Sequence, residues 1–136
     1  MYKHSLIYLA TPSVASVASD GILPLTTIVR RRSGAIQQSN DSIVLRTPGY
    51  YHVSVSVTFT APAVGVASLE LRQDGVPVIG ATASASVTTA TTEVNSLSFD
   101  AVVRVPCSAS AVTLTVVNSG VAITTSNIAI DVEYLD

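Results

Sequence analysis

Tyr50-Tyr51-His52-Val53-Ser54-Val55-Ser56-Val57-Thr58-Phe59-Thr60 alternates along its whole length. Tyr51, Val53, Val55, Val57 and Phe59 fall on one side of an extended chain. Tyr50, His52, Ser54, Ser56, Thr58 and Thr60 fall on the other. A period of two means a strand with one buried and one polar face, whereas a helix would scatter these valines around its axis.

The same period continues outward from this stretch. Ala67, Leu69 and Leu71 alternate with Ser68, Glu70 and Arg72, and Asp74-Gly75 then supplies the positive φ angles of a tight hairpin. Val76 to Ile79 runs back, with Pro77 marking an edge or a strand start. A second extended piece is expected over Ala81 to Val87, followed by a loop through Thr88 to Thr92. Leu97 to Val105, Val112 to Val117 and Ile128 to Tyr134 alternate in turn. Shorter strands are expected at Ser5–Leu9, Thr27–Arg31, Ala35–Gln38 and Ile43–Leu45. About eight to ten short strands with turn signals between them predict an all-β sandwich or jelly roll. No composition break divides residues 1–136, so a single domain is expected. Its least regular part, residues 1–25, is the expected docking arm.

Composition bounds the function. The chain has 136 residues, a net charge of -2 and 12% charged residues, against roughly 25% in ordinary soluble domains. Its apolar weight lies in 21 Val, 16 Ala and 9 Ile, accompanied by 18 Ser and 15 Thr. A coiled coil, a charged disordered tail and a disulfide scaffold are thereby excluded. The acidic balance and the lack of an aromatic platform argue against nucleic-acid binding. No run reaches the ~18 apolar residues of a membrane-spanning helix. Lys3, Leu6–Ala10 and Ala15–Ala18 imitate a signal peptide, but the apolar stretch is shorter than the usual ~7–15 residues.

Chemistry-bearing residues are few. Cys107 is expected as a small, half-buried apolar side chain. His52 reads as a hydrogen-bonded surface or interface histidine, and His4 as an ordinary terminal residue. Arg30-Arg31-Arg32 is the one charge run. It suits either a strand end paired with Asp41 or Glu133, or contact with an anionic partner. Glu70, Arg72, Asp100 and Arg104 are expected to form cross-strand ion pairs. No nucleophile elbow, P-loop, dinucleotide fingerprint or zinc-protease motif occurs, so no catalytic residue, metal or cofactor is expected. Asn40-Asp41-Ser42 matches an N-glycosylation sequon.

The polar faces carry Ser, Thr, Ala and Val more than charge. Such faces hydrate weakly and favour burial against identical copies in a cyclic oligomer. The expected interface comprises Tyr50, His52, Ser54, Ser56, Thr58, Val102 and Val117.

The turn Thr47-Pro48-Gly49-Tyr50-Tyr51 with its long strand, followed by the hairpin Leu69-Glu70-Leu71-Arg72-Gln73-Asp74-Gly75-Val76-Pro77-Val78-Ile79-Gly80, resembles the tumour necrosis factor-like and complement-type jelly rolls. The style is similar to the heads of bacterial collagen-like spore-surface glycoproteins and related phage proteins. The resemblance covers most of the chain, strongest over 42–80 and weakest over 1–41. It implies a ten-stranded jelly roll, a homotrimer, and a structural or interaction role without catalysis. Two features depart from the pattern. No Gly-x-y stalk is present, and Pro106-Cys107-Ser108 replaces a common Gly-Asp turn, which puts calcium or receptor-loop functions in doubt. The expected role is a virion-surface component, such as a phage capsid decoration or head-fibre protein docked on a major capsid protein or other virion lattice. The alternative is a receptor- or glycan-binding head on a fibre, cell or spore surface, using loops Thr88–Thr92 and Val121–Thr125.

Overall fold

The computed structural model describes residues 5–32 and 35–135; His4 lies outside them. The described chain forms eleven strands: β1 (Leu6–Thr11), β2 (Ala15–Val17), β3 (Thr27–Arg32), β4 (Ile36–Ser39), β5 (Ser42–Leu45), β6 (Gly49–Thr60), β7 (Gly65–Gln73), β8 (Val76–Val87), β9 (Asn95–Val105), β10 (Val112–Asn118) and β11 (Ile123–Tyr134). One sheet has the order β3-β1-β11-β6-β9, with β2 also paired to β11. The other has the order β4-β5-β10-β7-β8. The described chain is an all-β jelly roll of two antiparallel sheets.

The period-two pattern explains the packing. Tyr51, Val53, Val55, Val57 and Phe59 are buried beneath β6, against Leu69 and Leu71 of β7 and Ile128, Ile130 and Val132 of β11 in one continuous core. Valine and isoleucine suit this arrangement because their stiff branched side chains fill a pleated surface. The Tyr51 hydroxyl donates to the Thr47 carbonyl at 2.6 Å, and its ring meets Tyr134 edge-on at 5.1 Å. These contacts tie the start of β6 to the end of the last strand.

The Asp74-Gly75 turn forms as expected, with φ of 52° and 84°. Pro77 lies on an edge strand, as its missing N–H requires. Three expectations change. The two pieces at Val76–Ile79 and Ala81–Val87 are one strand, β8, carrying a bulge opposite Leu71 where Gly80 takes φ 84°. Thr124 and Thr125, expected in a loop, pair with β2 and β6 instead. The described part of the expected docking arm is built into the sandwich. β1 lies between β3 and β11 with Ile7 and Leu9 fully buried, and β2 pairs with β11. Residues 20–23 run beside β10 through Asp20 N–H to Asn118 O and Leu23 N–H to Val116 O.

Candidate functional site

Sheet registration decides which polar-face residues meet. On the outer face of the β3-β1-β11-β6-β9 sheet, one cross-strand row runs Arg32–Leu6–Glu133–His52–Val102. The neighbouring row runs Arg30–Tyr8–Asp131–Ser54–Asp100. Ala129, Ser56 and Ser98 align in a third. Six of the seven expected interface residues therefore share this face: Tyr50, His52, Ser54, Ser56 and Thr58 on β6, and Val102 on β9. Tyr50 is 49% and Val102 57% exposed.

Val117 does not join them. It lies on β10 in the other sheet and is only 2% exposed. Its outward position was read correctly from alternation, but the chain covers it itself. Residues 20–23 lie alongside, and Ile22 forms a β-bridge with Val117. Val117 is thus removed from the expected interface.

A shallow depression of about 130 Å³ lies near the centre of the outer face, lined by Tyr8, Ser54, Ser56, Ala129, Ile130 and Asp131. Beside it, His52 stands between two carboxylates, with Nε2 3.8 Å from Asp100 and Nδ1 3.8 Å from Glu133. Burial pushes the Asp131 carboxyl above its ordinary pKa; nearby Glu133 adds to the rise and His52 opposes it. Arg104 sits 5.9 Å over the Tyr50 ring, a cation–π contact that holds the exposed aromatic in place.

The other chemistry-bearing residues are placed differently from expectation. Glu70 and Arg72 do pair, at 2.6 Å, but along one strand. Asp100 and Arg104 belong to the other sheet, so no four-membered ion-pair set forms. Cys107 is exposed on the turn after β9, not half-buried. Arg30, Arg31 and Arg32 are all exposed on the edge strand β3 and, among the described residues, none is bridged to a carboxylate. The expected partner Asp41 instead accepts the Leu25 N–H. The pairing of Tyr8 and Asp131 with this face was missed from the sequence. The alternation of Ile128–Tyr134 was visible, but its register against β1 was not. Among the described residues, no three His, Cys, Asp or Glu side chains are grouped to hold a metal ion, and no helix is long and apolar enough to cross a membrane.

This face belongs to a sandwich with the fold of tumour necrosis factor and complement C1q heads. Murine APRIL superposes with a TM-score of 0.72 at 16% identity, covering 98% of this chain and 100% of its own. The globular domain of zebrafish complement 1qA gives 0.70 at 9% identity, with 96% of each chain covered. The phage PRD1 vertex protein P5 gives 0.63 at 15% identity, with 97% of each covered. No protein-family model matches the chain, and no curated protein is similar to it in sequence.

Proposed function

We propose that the chain is a non-enzymatic structural protein that assembles as a homotrimer on a virion surface, as a capsid decoration or head-fibre component docked on a larger lattice. One observation carries this reading. The outer face of the six-stranded sheet presents exposed Tyr50 and Val102 among Ser54, Ser56 and Thr58. An exposed aromatic and an exposed valine beside small hydroxyl side chains suit the core of an interface. The jelly-roll likeness to a phage vertex protein supports the virion setting. The interface residues of this reading are Tyr50, His52, Ser54, Ser56, Thr58 and Val102.

The competing role is a receptor- or glycan-binding head using the loop between β8 and β9. That loop carries Thr88 to Val94 without an aromatic side chain for stacking on a sugar. Multi-angle light scattering tests the main reading: the purified 14.1 kDa chain should elute with the mass of three copies. A lone protomer at high concentration would sink it. A glycan array should remain silent, and specific sugar binding would move the assignment to the competing role.

A further inference from the structure

Most ionised side chains outside the assembly face have a local task. Asp41 and Asp74 accept backbone N–H groups, Arg46 donates to Gln37, Glu70 holds Arg72, and Glu93 ties down the β8–β9 loop. The face itself differs. Arg30 and Arg32 lie at its β3 edge, and the Arg30 guanidinium donates to the carbonyl of its neighbour Val29. Asp131 and Glu133 lie on the central strand β11, and Asp100 lies on the far edge strand β9, where Arg104 is held over Tyr50. Two strand spacings, about 10 Å, separate Arg30 from Asp131 and Arg32 from Glu133 in their shared rows. Within one chain the arginines reach neither carboxylate.

Arginines and carboxylates so separated can meet only between copies. In a closed ring, each protomer presents one patch to one neighbour and a different patch to the other. We propose that Arg30 and Arg32 of one protomer dock on the Asp131–Glu133–Asp100 field of the next copy. This electrostatic contact sets the direction and register of the ring around the apolar contacts of Tyr8, Tyr50 and Val102. The inference rests on the trimeric reading above and adds to it the second copy's contribution. Asp131, partly buried beside Glu133, gains a counter-charge on assembly. His52, flanked by Asp100 and Glu133, lies at the centre of that field.

Charge reversal tests the contact. The double variant Arg30→Glu/Arg32→Glu should raise the concentration needed for trimer formation by about tenfold or more, because like charges would then face each other. Adding Asp131→Arg and Glu133→Arg in the same chain should restore assembly. The milder Arg30→Gln/Arg32→Gln variant should weaken it in the same direction. Wild-type trimers should also dissociate more readily at ~0.5 M than at ~0.05 M salt, since exposed rim charges are screened. Circular dichroism of each variant monitors the fold. A wild-type trimer that ignores salt and tolerates the reversals would overturn the proposal while leaving the trimeric reading intact, and would assign the arginines to an external anionic partner. A wild-type monomer would overturn both.

Discussion

Glu93 shows how one side chain replaces a missing ladder. The loop between β8 and β9 leaves backbone N–H groups without strand partners. Its carboxylate accepts from Asn95 Nδ2 and Thr88 Oγ1 at 2.7 Å each, and from the Thr88 and Thr89 amides at 3.1 Å. These donors, the Asn95 amide foremost, lower its pKa from 4.5 to about 2. A depressed folded-state pKa means that the ordering is fully present above 4.5 and is lost as pH falls through about 2. Glu93→Gln should therefore speed amide exchange at Thr88 and Thr89 at neutral pH. Wild type should approach the variant's exchange behaviour only near pH 2. Equal exchange in the two proteins at pH 7 would contradict this account.

At the scale of elements, the turn from β10 to β11 is seated against β7. Ser119 N–H donates to Ser68 O and Val121 N–H to Val66 O, so the backbones nearly touch. A Cβ at Gly120 would press on the Val66 carbonyl and lie 2.5 Å from the Ser68 nitrogen. Gly120→Ala should lower stability by about 1–3 kcal/mol, as overpacking does, read from the urea unfolding midpoint. An unchanged midpoint would mean that the turn shifts freely. Asn118-Ser119-Gly120 was legible as a turn, but its closeness to β7 was not, because that contact is made by a distant part of the chain. The same limit explains Val117. Alternation placed it outward, and only the fold brings Ile22 alongside. β6 was readable in full because its burial follows local period. β8 read as two pieces because Gly80 interrupts the pattern without ending the strand. Thr124 and Thr125 read as a loop because their polarity concealed a pairing that the backbone makes regardless of side chain.

For the whole molecule, folding and the proposed assembly place opposite demands on one residue. Desolvation, reinforced by Glu133, raises the Asp131 pKa, so the ionised form costs the lone protomer stability at neutral pH. For an acid with a raised folded-state pKa, that cost fades as pH falls through the folded value. Asp131→Asn should therefore raise the unfolding midpoint of dilute protomers at pH 7, with the gain vanishing in acid. The same change should weaken the proposed trimer, which loses a negative charge opposite the neighbour's arginine. Denaturant titration at low concentration and light scattering at high concentration separate the two effects. A variant that gains or loses both together would exclude this division of roles. The alternation of β6 and β9 made the membership of this outer face legible in the sequence. The sequence hid the placing of Arg30 and Arg32 on the β3 edge in the same rows as Asp131 and Glu133, because those rows exist only through the register of β1 between β3 and β11.

The first and last strands lie side by side and antiparallel, with Leu6 opposite Glu133 and the Tyr134 N–H bonded to the Ser5 carbonyl. Both ends of the described chain therefore leave the sandwich at one rim. Tension applied between them acts along the inter-strand hydrogen bonds and opens them one after another, like a zipper, instead of loading the whole ladder at once. A subunit tethered at both ends would peel under small forces, whereas one held by its sheet face alone would keep this seam unloaded.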